Sequence, residues 1–518
     1  MNRPSPYWLI ATILFLPPVG LVLLWLRPQL AWWKKFLGTL AIFAATLFHL
    51  VVVFGMRIEL GGGGRPAFVH FGKVEQRRAE AVERNRAEQA KVGELAAGRL
   101  ALEQSAAPPG SEVPASAAAK AVPPPPESAS TETQPAYWTD FRGPRRDGVY
   151  PREILTSWPA KGLPLLWKQP IGGGYASFVV GEGRAYTIEQ RRDKEVIAAY
   201  DLRTGRELWT HAYEAHFQES LGGNGPRATP TYHEGLVYAL GATGEFRVLE
   251  ARTGALRWKK NILADNGAQN LTWGICGAPL IVDEKVIVQT GGVTGKTLVA
   301  YHKITGERIW SSLNDQGAYA SPMLVNLGGR RHIVTMMAKR AVGVAVEDGR
   351  LLWDYPWETQ YDVNAAQPLV VGPNRLLISS GYGHGAAVIE LSSAGEVMRA
   401  TRIWENNRLK NRFNSSVLHE GYVYGLDENI LACVRASDGQ LMWKGGRYGY
   451  GQLLLASGHL VLISEEGDLV LIRATPEKHE ELAKFEAIQG KTWNVPIIEN
   501  GVLLVRNTSE MAAFRIGK

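Results

Sequence analysis

The sequence predicts an all-β fold: an eight-bladed β-propeller of four-stranded antiparallel blades, closed by an N-terminal strand and preceded by an α-helical transmembrane hairpin. Three observations predict it. Ala199-Tyr-Asp-Leu-Arg-Thr-Gly-Arg-Glu-Leu-Trp209 reads as strand, tight turn and strand, and its Gly-x-x-x-Trp spacing returns at Gly254–Trp258, Gly306–Trp310, Gly349–Trp353 and Gly439–Trp443. Trp recurs at 167, 209, 258, 310, 353, 404 and 443, with Phe485 in the next place, at intervals of 39 to 52 residues. Such a period suits one blade. Two apolar runs, Tyr7 to Leu26 and Phe36 to Met56, precede the repeats, and each is about long enough to cross a bilayer as a helix.

From the N-terminus, the expected hairpin fills residues 1–60, with helices at about 7–26 and 36–56. The loop between them carries Arg27, Lys34 and Lys35 and no acid, with Trp32 and Trp33 suited to an interface. The positive-inside rule puts this loop in the cytoplasm and both hairpin ends outside; Arg3, Arg57 and Arg65 on the other side weigh against it. A signal peptide is the rival reading. Two apolar runs occur, and no small-residue cleavage site follows the first.

Residues 61–136 are expected to join hairpin and propeller. Gly61 to Gly64 reads as a hinge, and Lys73 to Gln104, rich in Ala, Glu and Arg, reads as a helix without a sustained heptad. Ser105 to Pro135 is Ala, Pro, Ser and Glu, with Pro123 to Pro126 in one run. That composition buries too little apolar surface to fold and reads as an extended tether.

The propeller is expected over 137–518, introduced by Trp138, Phe141, Arg142, Gly143 and Pro144. Inner strands recur as a Pro or small residue followed by β-formers, as in Ala228-Thr-Pro-Thr-Tyr232 and Ala320-Ser-Pro-Met-Leu324. The last unit, 486–518, supplies three strands only. Leu165 to Pro170 is therefore expected to pair with it, closing the ring and removing open sheet edges. The net charge of +7 does not mark a nucleic-acid binder. Residues 1–136 hold 14 Lys and Arg against 10 Asp and Glu, and the remainder 43 against 40, with no basic run.

The 199–209 pattern resembles the repeat of pyrroloquinoline-quinone (PQQ)-type propellers, and the resemblance covers roughly 137–518. It implies the fold and two classes of activity: cofactor-free scaffolds of the cell envelope such as the BamB family, and quinoprotein dehydrogenases that hold PQQ beside Ca²⁺. With the apolar runs it implies a bacterial inner-membrane protein whose propeller lies in the periplasm. The expected function is a non-catalytic scaffold for a protein or envelope partner on one propeller face. The alternative is a PQQ-dependent oxidoreductase with its site in the channel mouth. Many such dehydrogenases carry a vicinal Cys pair, whereas Cys276 and Cys433 fall three blades apart, and no Cys-x-x-Cys-His occurs. No metal-ligand spacing is recognised, and no residue is assigned as catalytic.

Aligning inner strands on their Pro gives a mouth ring: Tyr175, Arg227, Cys276, Tyr319, Ala365, Phe413, Gly451 and Trp493. Asn224, Asn270, Trp273, Asn364, Arg412 and Tyr450 lie near it in sequence. The candidate binding set is Arg227, Trp273, Tyr175, Tyr319, Trp493, Asn224 and Asn364. An Arg fork among aromatic faces holds a flat anionic group. The alternative is that Arg227 pairs with a backbone carbonyl and the aromatics plug the channel.

Overall fold

The computed structural model describes residues 17–64, 66–70, 74–105, 137–292, 294–395 and 397–518. The chain divides into two compact units, Met1–Arg77 and Arg78–Lys518.

In the first unit, helix α1 (Pro17–Trp25) and helix α2 (Trp32–Phe48) pair as a hairpin. Gly38 makes the close approach: a Cβ there would lie 2.6 Å from Leu24. Trp25 Nε1 donates to Thr39 Oγ1 at 3.2 Å. Trp32–Val52 is long and apolar enough to cross a membrane. The expected start of the first span, before Pro17, lies outside the described residues. The Gly-rich stretch is not the expected hinge. It is the turn of a β-hairpin that pairs Arg57–Leu60 with Pro66–His70, closed by Gly64 N donating to Gly61 O. The helix expected at 73–104 is helix α3, Val74–Ser105, which from Arg78 onward belongs to the second unit. The expected tether beyond it falls on residues that are not described.

The second unit holds eight propeller sheets among the described residues. Blades 1 to 7 start at Val179, Thr231, Leu280, Met323, Leu369, Val417 and Gln452. Blade 8 joins the three C-terminal strands, from Ile497, to Leu165–Pro170, with Met511 opposite Gln169 and Ala513 opposite Trp167. The predicted closure is the one observed. An earlier strand, Val149–Tyr150, pairs parallel with Leu455–Ala456 and makes blade 7 five-stranded. The middle strands are buried almost end to end, as in Arg184–Arg191 and Lys194–Asp201, because both their faces meet neighbouring blades. Outer strands such as Leu256–Asn261 keep more exposed positions.

The Gly–Trp repeat is an interlock between blades. The five turn glycines all have φ of 72–74°, a left-handed backbone that Gly adopts without a Cβ clash. The rings of Trp167, Trp209, Trp258, Trp310 and Trp404 lie where the next blade's turn would carry a Cβ: 2.6 Å for Trp167 on Gly205 and for Trp209 on Gly254, 2.9 Å for Trp258 on Gly306. The indole N–H then donates to a carbonyl beside that turn, as from Trp209 to Ala251 at 2.9 Å and from Trp404 to Ala436 at 2.9 Å. Asp201 caps its turn by accepting from Thr204 N at 2.8 Å and Thr204 Oγ1 at 2.8 Å. His302 does the same through Nδ1, so the repeat's Asp serves the turn and is replaceable there.

Two irregular repeats have structural causes. Blade 5 extends its outer hairpin to Gly385–Ala394 and Val397–Asn406, so the short Thr-Gly turn is lost before Trp404. In blade 7 a longer connection, 474–480, replaces the turn before Phe485.

Candidate functional site

The axial channel is blocked from within by residues 137–150. Arg142 and Arg146 adopt left-handed φ of 62° and 56°, and each side chain is 1% exposed. Arg146 donates to the carbonyls of Ala278 (3.1 Å), Pro279 (2.5 Å) and Pro322 (2.6 Å) and to Asp140 Oδ1 (3.3 Å). Arg142 donates to Ser416 O at 2.8 Å and Leu453 O at 3.3 Å. Backbone bonds link Trp138 O to Val180 N, Thr139 O to Tyr232 N and Gly148 O to Leu455 N. The fully buried Glu499 carboxylate accepts from Tyr137 N and Trp138 N at 2.7 and 2.8 Å. The plug thus touches the innermost strands of seven blades. Burial disfavours both charged guanidiniums, and pushes Arg142 down to about 10. The plug went unrecognised in the sequence, although two Arg beside Gly143 and Gly148, ahead of the first blade, were its trace.

One layer above runs a belt of short polar side chains that tie blade to blade. Thr229 Oγ1 accepts from Ser177 N, Ser321 Oγ from Ala278 N and Ser415 Oγ from Gln367 N, each at 2.9 Å. Two residues before each of these positions, ahead of the inner strands, lies the predicted ring. Tyr175, Arg227, Cys276, Tyr319, Ala365, Phe413 and Trp493 are partly exposed, and Gly451 is buried.

The ring aromatics form two arcs. Trp493 lies 5.1 Å from Tyr175 and 4.4 Å from Phe413, and Phe413 lies 5.7 Å from Tyr450. Across the mouth Trp273 meets Tyr319 edge-on at 5.6 Å. Arg227 stands between the arcs, its guanidinium 4.6 Å from the Phe217 ring centre and 5.5 Å from Tyr175. It donates to the carbonyls of Gly223 and Gly225, so it fastens the loop that precedes it. That loop crosses the rim: Gly222 lies against Trp273, and Gly223 lies against the Tyr175 hydroxyl. Asn224 belongs to the same loop, its Oδ1 accepting from Glu219 N at 3.3 Å. Asn364 stands apart. It is fully buried and donates to Met337 O, Ala338 O and Trp357 O at 2.9–3.3 Å, so it holds a loop behind the ring.

Tertiary packing adds Lys491, whose Nζ sits 4.3 Å above Trp493 and donates to Gly222 O at 3.3 Å. Lys491 is two residues before a ring position, in the segment that leads into the strand Ile497–Glu499; that spacing was the available signal. Arg412 lies 4.2 Å from the Tyr382 ring and 4.8 Å from Tyr450, paired with Glu428 at 3.1 Å. Burial pushes the Cys276 thiol up to about 11, with Arg227 opposing, so at neutral pH it is a protonated side chain of the mouth wall. Cys276 and Cys433 are both free.

The carboxylates at the mouth do not gather into a Ca²⁺ site of the kind that would sit beside a quinone. Ca²⁺ takes six to eight oxygens, from carboxylates, backbone and amide carbonyls and water. Among the described residues no group of three or more Asp, Glu, His or Cys converges on one point. The carboxylates nearest the ring are spent on the protein itself: Glu465 accepts from Trp493 Nε1 at 2.9 Å and Tyr450 N at 3.2 Å, and Glu428 holds Arg412.

Comparison with known proteins agrees with this architecture. Over 372 residues the chain is 21% identical to outer membrane protein assembly factor BamB of Bordetella pertussis, covering 63% of this chain and 91% of that protein. Over 149 residues it is 30% identical to the 1-butanol dehydrogenase (cytochrome c) of Thauera butanivorans. That match spans 27% of this chain and only 20% of the dehydrogenase's length. The crystal structure of quinohemoprotein alcohol dehydrogenase from Comamonas testosteroni superposes with a TM-score of 0.55 at 14% identity, covering 74% of this chain and 81% of that one. At such identity it speaks for the fold alone. The profile of the family described as outer membrane protein assembly factor BamB, a PQQ-type repeat family, matches residues 164–445. The chain belongs to that family.

Proposed function

We infer that this chain is a membrane-anchored propeller of the bacterial cell envelope, facing the periplasm, that binds a protein partner on the face carrying the mouth and performs no chemistry of its own. One observation carries the reading: the mouth is an aromatic and cationic rim whose polar groups are tied to the protein's own loops, with no convergent set of metal-binding groups among the described residues. Two large apolar side chains stand exposed on loops around it, Leu221 at 54% and Tyr361 at 57%. Aromatic and Arg residues of this kind are where binding energy concentrates at protein interfaces. The family resemblance to an envelope assembly factor supports the partner class.

A photo-crosslinking residue at position 221, in cells, tests it. The expected result is a discrete adduct with an envelope protein that the same residue at exposed Ile403, on an outer strand of blade 5, does not give. Arg227→Ala is expected to lower that yield at least about tenfold, because the loop that presents Leu221 loses the charge-assisted hydrogen bonds that fasten it at the Gly223 and Gly225 carbonyls, while leaving the denaturation midpoint in place. Arg227→Lys restores only part, since Lys lacks the planar fork. Stoichiometric binding of PQQ with Ca²⁺ by the purified protein would replace this reading with the oxidoreductase one. The topology has its own check. Reporter fusions after Met56 are expected to be active outside the cytoplasm, and activity only inside it reverses the orientation.

A further inference from the structure

Among the described residues, one face of helix α3 meets the propeller, and it does so at the seam where the ring is closed. Val82, Arg86 and Gln89 are four and three residues apart, so they lie on one stripe of the helix. Val82 is 1% exposed. Arg86 Nε pairs with Glu207 Oε2 at 3.1 Å, its Nη2 donates to Pro170 O at 3.0 Å, and its guanidinium lies 5.2 Å from the Tyr200 ring centre. Gln89 donates to Gln169 Oε1 at 2.7 Å and accepts from Glu207 N at 3.1 Å. Gln169 and Pro170 belong to the strand that closes blade 8, whereas Glu207 and Tyr200 belong to blade 1. Arg86 and Gln89 each bond to both blades. The neighbouring pair of Glu83 with Arg192, at 2.6 Å, is half exposed on both sides and adds little.

We propose that the Val82–Arg86–Gln89 face of α3 is a strap across the closure seam, so that the spacer between the apolar helix and the propeller is residues 54–81 and not the Pro-rich stretch 105–135. The reason is connectivity. The Pro-rich stretch follows the strap and precedes the plug, and both are bonded to the same propeller. Its length therefore sets no distance from the membrane. A pull on the N-terminal chain reaches the strap first, and the strand Leu165–Pro170 that holds the ring together is shielded from it. Without Arg86 both carboxylates beneath the strap keep a cation, since Arg191 pairs with Glu189 and Glu207 and Arg506 acts on Glu189 as well. Releasing α3 therefore strands no carboxylate, and the strap opens without unfolding the ring.

Amide hydrogen exchange on the full-length protein in detergent tests this. In the wild type, amides of 80–90 are expected to exchange more slowly than those of a synthetic 74–92 peptide, and the Glu207 amide, which donates to Gln89 Oε1, is expected to be protected. Arg86→Gln keeps the side chain's length and removes its charge and fork. It is expected to speed exchange in 80–90 and 205–209 by roughly tenfold or more, leaving Ile333–Met336 of blade 4 unchanged. Glu83→Ala is expected to change neither. The proposal is overturned if wild-type 80–90 exchanges like the peptide, or if Arg86→Gln leaves both segments as they were. It is also overturned if protection falls in every blade alike, because Arg86 would then be a core residue of the ring. Val82→Asp, which attacks the same face without touching an ion pair, should reproduce the pattern of Arg86→Gln.

Discussion

Trp353→Ala is expected to cost about 3–5 kcal/mol, the range for truncating a buried Trp, read as a lowered denaturant midpoint with an unchanged slope. Trp353 is the most buried of the repeated tryptophans, at 2% exposure. It sits over Gly343, where any Cβ would collide with the indole, in the cluster that joins blades 4 and 5. Blade 5 lacks the Thr-Gly turn, so its indole N–H has no turn carbonyl to meet and donates to His332 Nδ1 at 3.0 Å. Burial, with Arg330 nearby, pushes His332 down to about 4, so at neutral pH the ring is uncharged and able to accept. Trp353→Phe keeps most of the apolar contact and leaves His332 without its donor, and its loss should be clearly smaller. Trp209→Ala should also cost less, since that ring is only partly buried. Equal losses at 209 and 353 would mean that burial does not grade the interlock.

Arg146→Ala is expected to cost a similar amount, about 3–5 kcal/mol, by a different route. Removing one member of a buried ion pair leaves the other charged group without compensation. Here Asp140 would remain in a site where burial already raises its pKa, and the carbonyls of Ala278, Pro279 and Pro322 would lose a shared donor. The loss should appear as reduced thermal stability together with faster proteolysis ahead of Val149, because the segment that fills the channel comes loose first. Arg142→Ala should cost less. Arg142 donates to carbonyls alone, so its removal leaves no acid stranded. If Arg146→Ala proves neutral, the plug is a passenger in the channel and the ring is held by its blades and closing strand only.

The repeat, the blade count and the closing strand were legible in the sequence because each is a local property. A positive-φ turn demands Gly, a packed outer strand demands a large apolar ring, and the recurrence of both at one blade's length leaves few folds to choose from. Leu165–Pro170 was readable as the closing strand by elimination, since the last unit is one strand short. The ring Tyr175–Trp493 followed from the register of the inner strands, and the seven partly exposed positions sit where that register puts them. What only the tertiary structure decided was who answers each side chain. Nothing local distinguishes an Arg that faces a ligand from one whose fork is taken by Gly223 and Gly225, or an Asn at a rim from Asn364 behind it. Hydrogen-bond partners far apart in sequence settle that, as do Arg142 and Arg146 reaching carbonyls 132 to 311 residues away. The helix before the Pro-rich stretch shows the same limit. Its polar composition predicted a helix, but the stripe of three residues that straps the seam has meaning only once blades 8 and 1 stand side by side. Local backbone preference writes itself into a few adjacent residues, whereas the closure of a ring brings together groups that no short stretch of sequence contains.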